Sequence, residues 1–258
     1  MRHLVYAHRG GAALAPENTM AAFENGMALG AGGLELDVRL ARDGVPVVHH
    51  DAMLERTTDA TGPVSALTSD ELAKVDAGHK FADEQGGFPF RGKGIGVPRL
   101  EEVVTRYPQA HLIIEMKDDS EELADAIVEI VRKANAFDRA VLSSFHSGPV
   151  LEARRISAEI RTGASQPEVR AALYAAWCGM APRKPQYMGF QVPEKAGRLR
   201  IISPRFVRAV RKANLEVAVW TVNEEADMRR LLDWGVTGLI TDRPDVAVPL
   251  VASIAARR

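Results

Sequence analysis

Short apolar stretches alternate with longer stretches of helical periodicity along most of the chain. Apolar runs bounded by Gly, Pro or polar residues predict buried strands, and apolar residues spaced three or four apart predict amphipathic helices. We expect eight strands, over residues 4–8, 33–39, 111–117, 140–145, 159–164, 187–192, 216–222 and 238–241, with helices between them. Eight such units in about 250 residues are typical of a (β/α)8 TIM barrel, and a doubly wound open sheet is the competing architecture.

Polar caps and prolines predict where the helices begin. Side chains of Ser, Thr and Asn accept hydrogen bonds at a helix start, and Pro fits the first turn. The predicted starts are Asn18 or Thr19, Pro98, Ser120, Ser203-Pro204, Asn223 and Pro244, with two further helices over residues 149–156 and 168–176.

The regular alternation is interrupted after the second strand. Residues 45–50 read as an extended arm that forms a hairpin with that strand, and residues 52–97 carry scattered Thr, Gly and Pro. A capping box over residues 68–71 predicts one short helix there. We therefore expect a single barrel domain over residues 1–258, with an insertion subdomain over residues 52–97.

The second strand has one charged and one apolar face. Alternate side chains point to opposite sides of a strand, so Glu35, Asp37 and Arg39 share a face. The third strand repeats the pattern with Glu115 and Lys117. In a barrel the carboxyl ends of the strands form the active face, so these carboxylates are expected to converge there.

Three carboxylates in one poorly hydrated pocket require neutralisation. A hard divalent cation, Mg²⁺ or Ca²⁺, suits a donor set of oxygens only. Ion pairing of the acids with Arg39, Lys117 and Arg9 is the alternative, and it is the commoner explanation of a single Glu-x-Asp pattern.

Two histidines flank this candidate metal site. His8 ends the first strand and His50 ends the arm, and imidazole moves protons near neutral pH. Arg9 and Lys117 suit an anionic substrate, and Asn18 adds a donor near a helix start, where phosphate is favoured. Together these residues describe a phosphoryl-transfer site.

Composition excludes several other classes of protein. A formal net charge of −1 argues against a broadly basic nucleic-acid binder, and the one cysteine, Cys178, excludes an internal disulfide framework. The amino end has no secretory pattern, and no apolar run approaches the roughly 18 residues of a membrane span. We expect a cytoplasmic protein that takes a small-molecule substrate and does not insert stably into membranes.

Seven motifs in order resemble the signature of the glycerophosphodiester phosphodiesterase family. They are His8-Arg9-Gly10, Pro16-Glu17-Asn18-Thr19, Glu35-Leu36-Asp37-Val38, His50-Asp51, Glu115-Met116-Lys117, Trp220-Thr221-Val222-Asn223 and Thr241-Asp242-Arg243-Pro244. The match runs nearly end to end. The resemblance implies a (β/α)8 barrel that hydrolyses glycerophosphodiesters to glycerol 3-phosphate and an alcohol.

The resemblance also assigns a role to each matching position. It makes His8 and His50 the acid and base. It makes Glu35, Asp37 and Glu115 the metal ligands. Arg9 and Lys117 would bind the phosphate. Glu17 would orient Arg9, Asn18 would contact the phosphate or water on the metal, and Phe145 and Trp220 would line the pocket or belong to the ordinary barrel core.

Residues 176–200 match the family pattern poorly, which leaves the substrate open. One alternative is a lysophospholipase D-like or phospholipase C-like diesterase that acts on lipids, for which Phe81, Phe88 and Phe90 offer an apolar landing patch. The other alternative is a barrel that binds phosphodiesters without turnover. The presence of both histidines and all three carboxylates argues against that second alternative.

Overall fold

A computed structural model describes residues 3–183 and 185–256, and its central element is a barrel of parallel strands. The barrel strands, called first to eighth below, are Leu4–His8, Gly33–Leu40, His111–Met116, Ala140–Ser143, Arg161–Thr162, Gly189–Pro193, Glu216–Trp220 and Gly238–Thr241. Each pairs in parallel with the next, and the eighth pairs with the first. A parallel bridge between Gly163 and Gly189 joins the fifth and sixth strands. The predicted (β/α)8 barrel is confirmed, and the open sheet is excluded.

Helices lie outside the barrel, one after each strand. They are Met20–Ala28, Leu100–Arg106, Glu121–Lys133, Ser147–Ile156, Gln166–Trp177, Pro204–Lys212, Glu225–Asp233 and Pro244–Ala255. Two large apolar clusters fill the space between this layer and the sheet, because each helix presents one apolar stripe to it. Within the described residues, the helices are too short or too polar to cross a bilayer.

Several predicted boundaries are wrong. Among the strands, the fourth ends at Ser143, the sixth begins at Gly189 and the seventh ends at Trp220. The helix assigned to Pro98 begins at Leu100, with Arg99 as its N-cap. The helix assigned to Asn223 begins at Glu225 after Glu224, because the Asn223 side chain is engaged elsewhere, as described below. The fifth strand is reduced to Arg161–Thr162. At the first helix, Thr19 rather than Asn18 is the cap, and its hydroxyl accepts from the Ala22 N–H.

The barrel interior is filled by a small set of side chains below the polar end. Tyr6, Ile113, Ala218 and Ile240 are buried together there. Gly33 makes room for the Tyr6 ring, since a Cβ at Gly33 would lie 2.6 Å from Tyr6 Cδ1. The packed interior therefore closes the lower part of the barrel and confines any cavity to the carboxyl ends of the strands.

The segment after the second strand forms an arm and a compact loop region. The strand Pro46–Val48 pairs antiparallel with Gly33–Leu40, as the hairpin interpretation predicts. Residues 52–97 contain the 3-10 turn Val64–Ala66 and the helix Ser69–Leu72, which has the predicted capping box. Their apolar residues form a cluster of their own with Ala41 and Val47. A further small hairpin pairs Lys195–Ala196 with Leu199–Arg200.

Candidate active site

A cavity of about 470 Å³ opens at the carboxyl ends of the barrel strands. Such a volume lies within the usual range of small-molecule sites, roughly 300–1,000 Å³. Its polar wall is formed by the predicted site residues His8, Arg9, Glu35, His50, Glu115 and Lys117, and Phe145 and Trp220 also line it. The fold thus gathers in one place residues from the first, second, third and seventh strands, from the segment after the fourth strand and from the arm.

The register of the strands brings the three carboxylates together. His8 is level with Glu35, and Asp37 is level with Glu115 on the adjacent strand. Partners in parallel strands point to the same side of the sheet, so all of these side chains face into the barrel. Glu35, Asp37 and Glu115 each present a ligand oxygen, and these oxygens lie within 4.8 Å of one another.

Two cations neutralise much of this cluster, and one amide donates a hydrogen bond to it. Arg9 Nε lies 3.1 Å and Lys117 Nζ 3.4 Å from the Asp37 carboxylate, and Asn18 Nδ2 donates to Asp37 Oδ2 at 2.8 Å. Lys117 also pairs with Glu115 at 2.8 Å. The ion-pair alternative therefore accounts for Asp37 and Glu115.

Glu35 is not neutralised in the same way. Its contacts are the Arg9 backbone N–H, which donates at 3.3 Å, and His8 Nε2 at 3.7 Å. Burial, with repulsion from Asp37 next in size, raises the pKa of Glu35 to about 8. The cluster is thus short of positive charge at Glu35.

The donor set fits a divalent cation. All three ligand groups are carboxylates, which suit hard ions such as Mg²⁺ and Ca²⁺. A bound cation would supply the positive charge that is missing beside Glu35, and the Glu35 carboxyl group would then release its proton. Glu35, Asp37 and Glu115 are accordingly the residues that would hold such an ion.

His8 is fixed by a carboxylate that directly follows the last strand. Its Nδ1 lies 2.6 Å from Asp242 Oδ1, and Asn223 Nδ2 donates to the other oxygen of Asp242 at 2.9 Å. Burial lowers the pKa of His8, but the charges of Glu35 and Asp242 outweigh it, so that the pKa is raised. With Nδ1 held by Asp242, the Nε2 atom is the one directed toward Glu35.

His50 is held in a similar way by its neighbour in the chain. Its Nδ1 lies 2.6 Å from Asp51 Oδ1, and the Arg39 guanidinium donates to the His50 carbonyl oxygen at 2.9 Å. His49 is buried and directs Nδ1 to the Asp51 carbonyl oxygen, away from the cavity, as alternation along the arm predicts. Each candidate histidine therefore has a carboxylate on Nδ1, which orients the ring.

The loop after the first strand is shaped around the acidic cluster. Arg9 and Asn18 take left-handed backbone conformations, with φ of 52° and 57°. Such conformations are uncommon for residues with a side chain and persist only where the surroundings enforce them. Gly10 permits the loop to rest on the first helix, because a Cβ there would lie 2.6 Å from the Ala22 backbone. Both Arg9 and Asn18 are thereby directed at Asp37.

Glu17 contacts Arg9, the residue that it is expected to orient. Its Oε1 accepts from Arg9 Nη1 at 2.9 Å. The same carboxylate accepts two hydrogen bonds from Arg56, which reaches it from the insertion. Burial raises the pKa of Glu17, but its hydrogen bonds to the two arginines lower it to about 2.

Four residues of the site were not predicted from the sequence to belong to it. They are Asp51, Arg56, Asn223 and Asp242. Asp242 follows the eighth strand directly, so the rule that selected polar residues at strand ends could have found it. Arg56 lies in the irregular insertion, where no periodicity indicates which way a side chain points.

The remainder of the cavity wall is mainly apolar. It comes from the helix Gln166–Trp177 and from residues 191–201, and Phe145 and Trp220 pack edge to face beside it with ring centroids 5.9 Å apart. Phe81, Phe88 and Phe90 do not line this cavity: Phe81 packs against Phe90, and Phe88 stacks under Arg91.

Comparison with known proteins places this architecture in one family. The family model for the glycerophosphoryl diester phosphodiesterase family matches residues 8–246. A glycerophosphodiester phosphodiesterase of Caldanaerobacter subterraneus is 32% identical and covers 97% of this chain and 98% of its own. The matched range contains every predicted site residue.

Solved structures agree with this placement. The glycerophosphodiester phosphodiesterase of Agrobacterium tumefaciens superposes with a TM-score of 0.78 at 30% identity, over 96% of this chain and 100% of its own. A phosphodiesterase of Oleispira antarctica in complex with the product sn-glycerol 3-phosphate gives 0.77 at 26% identity, over 96% of each chain. The chain therefore belongs to the glycerophosphoryl diester phosphodiesterase family of enzymes.

Proposed function

We propose that this enzyme hydrolyses glycerophosphodiesters to sn-glycerol 3-phosphate and an alcohol, with a divalent cation as cofactor. The observation that carries the proposal is the convergence of two carboxylate-held histidines, two cations and a cluster of three carboxylates, of which Glu35 and Glu115 line the cavity. The product bound to the Oleispira antarctica relative supports the same substrate class.

Arg9 and Lys117 bind the phosphate in this proposal. Both side chains line the cavity, and both are anchored on Asp37, which fixes their positions before substrate arrives. Asn18 also donates to Asp37, and Glu17 orients the Arg9 guanidinium. When bound to Glu35, Asp37 and Glu115, Mg²⁺ or Ca²⁺ supplies positive charge against the phosphate and acidifies the attacking hydroxyl.

His8 and His50 move the protons. One imidazole removes the proton of the glycerol 2-hydroxyl, whose oxygen forms a bond to phosphorus while the bond from phosphorus to the alcohol oxygen breaks. The other imidazole gives its proton to the departing alcohol. Water then opens the cyclic phosphate with the two roles exchanged, and both histidines return to their starting states. Asp242 and Asp51 keep Nδ1 occupied, so that Nε2 is the atom available for transfer.

Release of glycerol 3-phosphate from glycerophosphoethanolamine tests the activity directly. We expect turnover that a chelator abolishes and that Mg²⁺ or Ca²⁺ restores. Substituting either histidine, as His8→Asn or His50→Asn, is expected to lower kcat by about 10²- to 10⁴-fold. Full activity in the presence of chelator would exclude the metal, and normal activity of both histidine variants would exclude the acid–base pair.

A substrate analogue separates the cyclic mechanism from direct attack by water. Glycerophosphoethanolamine without its 2-hydroxyl cannot form the cyclic phosphate, so we expect no cleavage of this analogue. Cleavage at the normal rate would replace the cyclic step by hydrolysis in one displacement.

A further inference from the structure

Basic side chains are concentrated in one part of the chain. Residues 170–212 contain ten of the 33 Lys and Arg residues but only one of the 34 Asp and Glu residues, Glu194. This stretch therefore carries a formal charge of +9, whereas the whole chain carries −1. It spans most of the helix Gln166–Trp177, the helix Pro204–Lys212 and the segment between them. The small net charge of the protein thus conceals a strongly positive region.

Most of these cations are exposed and have no carboxylate partner. Arg200 lies 4.0 Å from Glu194, which is already paired with Arg230 at 2.8 Å. Six further exposed cations of the stretch form no ion pair with a described carboxylate, and they are Arg183, Lys195, Arg198, Arg205, Arg208 and Lys212. Their charge is therefore available to an external anionic surface.

Large apolar side chains are exposed among these cations. Tyr174 is 61% exposed, and Trp177 and Met180 are each 48% exposed. The two aromatic rings pack edge to face with centroids 5.3 Å apart. Arg170, Tyr174 and Trp177 are spaced four and three residues apart, so they follow one another along one side of the helix Gln166–Trp177. Tyr and Trp side chains in contact with water are typical of the boundary between a bilayer and water.

Packing joins the two helices into one surface, the exposed part of residues 170–183 and 185–212, which we name the basic face. Ala176 of the first helix and Phe206 of the second belong to the same buried cluster. Arg205 of the second helix reaches over the end of the first, since a Cβ at Gly179 would lie 4.0 Å from its Nη2 atom. Gly179 follows Trp177 by two residues, so a guanidinium lies beside the exposed aromatic pair.

The basic face begins at the rim of the active-site cavity. Arg170 of the first helix and Ala196 and Leu199 of the hairpin of residues 195–200 line this cavity. Leu199 is also 43% exposed, and it lies between Arg198 and Arg200 in the chain. The same mixture of cations and exposed apolar groups therefore occurs on the hairpin and on the helices.

A membrane surface fits both properties of the basic face. Each basic side chain near an anionic bilayer raises the affinity by about fivefold, and exposed aromatic and aliphatic side chains enter its interfacial layer. A nucleic acid would match the charges but offers no apolar phase to cover Met180 and Leu199. A second copy of this chain would bring a like-charged face against the first, which costs free energy.

We infer that the basic face binds the surface of a membrane that contains anionic phospholipids. The cavity then lies beside the bilayer, while the substrate remains a diester in solution. The described helices are too short or too polar to cross a bilayer, so the binding is peripheral. This inference concerns where the enzyme works, and it requires neither a lipid substrate nor the proposed reaction.

Sedimentation of the full chain with vesicles tests the inference. Vesicles of phosphatidylcholine containing about 30% phosphatidylglycerol are compared with vesicles of phosphatidylcholine alone, since only the former carry the negative surface charge. We expect the enzyme to bind the anionic vesicles at low salt and to leave the neutral vesicles in suspension. At about 0.5 M salt we expect the affinity to fall by about tenfold or more, because the charges are screened.

Reversal of three charges locates the binding surface. A variant that combines Arg198→Glu, Arg205→Glu and Arg208→Glu is expected to lose about 100-fold or more in affinity for the anionic vesicles. These three side chains are exposed and do not line the cavity, so the Tm is expected to stay unchanged and shows that the variant is folded.

The matched control makes the same change of charge elsewhere. It combines Lys74→Glu, Lys80→Glu and Lys93→Glu, at exposed positions of the insertion. We expect this control to keep the affinity within about twofold, because charges away from the contact are screened. Equal loss of affinity in the control would reduce the effect to net charge and would overturn the basic face.

Trp177→Ala tests the apolar part of the contact independently. We expect a loss of about tenfold in affinity for the anionic vesicles, because the indole no longer enters the bilayer. Leu151→Ala is its control, since Leu151 is also exposed but lies on the helix Ser147–Ile156, outside the basic face. Unaltered binding is expected for Leu151→Ala, and equal binding of both variants would contradict the aromatic contact.

The remaining outcomes assign the basic face to another partner. Tighter binding to double-stranded DNA than to anionic vesicles would overturn the inference in favour of a nucleic acid. A dimer without vesicles that Trp177→Ala dissociates would overturn it in favour of a second copy of the chain. Equal binding to neutral and anionic vesicles would also overturn it. None of these measurements uses turnover, so the inference and the proposed function fail separately.

Discussion

Arg56 donates two hydrogen bonds to Glu17, from Nη1 to Oε2 and from Nη2 to Oε1, each at 2.7 Å. The Nε atom of the same guanidinium donates to Asp51 Oδ2 at 2.5 Å. Since Glu17 holds Arg9 and Asp51 holds His50, one side chain of the insertion connects the candidate phosphate-binding and proton-transferring groups.

Removal of Arg56 is therefore expected to disturb both groups at once. We expect Arg56→Gln to lower kcat/KM by about 10- to 100-fold, with a rise in KM from Arg9 and a fall in kcat from His50. Arg56→Lys should not restore activity, because an ammonium cannot form the paired hydrogen bonds to Glu17 and also reach Asp51. Steady-state kinetics on a glycerophosphodiester measure both parameters.

Arg42→Gln is the matched control for this prediction. Arg42 is similarly exposed and pairs with Glu71 outside the cavity. Wild-type kinetics are expected for it, since exposed ion pairs contribute little. If Arg56→Gln had the same kinetics as Arg42→Gln, the hydrogen bonds from Arg56 to Glu17 and Asp51 would have no effect on catalysis.

The raised pKa of Glu35 predicts how the stability of the metal-free protein depends on pH. The folded state retains a proton that the unfolded chain releases between its ordinary pKa of 4.5 and about 8. The free energy of unfolding therefore falls as pH rises through this window. Glu35→Gln removes the buried charge. At pH values above about 8 we therefore expect the metal-free variant to have a higher Tm than the metal-free unaltered protein. We also expect the substitution to abolish activity.

Asp37→Asn is expected to behave differently in the same thermal-unfolding measurement. Asp37 neutralises Arg9 and Lys117, so its loss leaves two cations without their shared partner. We expect a lower Tm for this variant, with each kcal/mol worth about 2–4 °C in a domain of this size. Equal shifts in Tm for the two variants would contradict the contacts, in which Asp37 is paired with two cations and Glu35 is not.

Metal binding should release the proton held by Glu35. Below about pH 8 we expect about one proton to be released for each Mg²⁺ or Ca²⁺ bound, and the apparent affinity to rise with pH up to that point. Calorimetry in two buffers of different ionisation enthalpy counts the protons. Binding without proton release at neutral pH would show that Glu35 is ionised before the ion arrives.

Asp242 is expected to set both the orientation and the pKa of His8. Asp242→Asn weakens the bond to Nδ1 and removes a charge that raises the pKa of His8. We expect kcat to fall by about 10- to 100-fold and the limb of the pH–rate profile that His8 controls to move to lower pH.

Asp245→Asn provides the comparison for Asp242. Asp245 follows three residues later and pairs with Arg243, without contact to His8. An unchanged pH profile is expected for Asp245→Asn. The assignment of Asp242 to His8 fails if both variants give the same profile.

Much of the site could be predicted because it follows the strands. Glu35, Asp37 and Glu115 alternate with apolar residues that must face the helices, so the sequence alone directs the carboxylates into the barrel. His8 and Arg9 follow the first strand in the same way. The helix after Asn223 was misplaced because that side chain can either cap a helix or bond a distant carboxylate, and the sequence does not distinguish these uses.

The sequence by itself determined the barrel, the order of its strands and the residues at their carboxyl ends, because hydrophobic periodicity and capping are local properties. The tertiary structure alone decided how the charges are shared. Arg9, Asn18 and Lys117 contact Asp37, whereas no cation pairs with Glu35 in the same way. Asp242 binds His8. Arg56 donates hydrogen bonds to both Glu17 and Asp51. These contacts span from 5 residues, between Arg56 and Asp51, to 234 residues, between His8 and Asp242, and closure of the barrel brings the distant ones together.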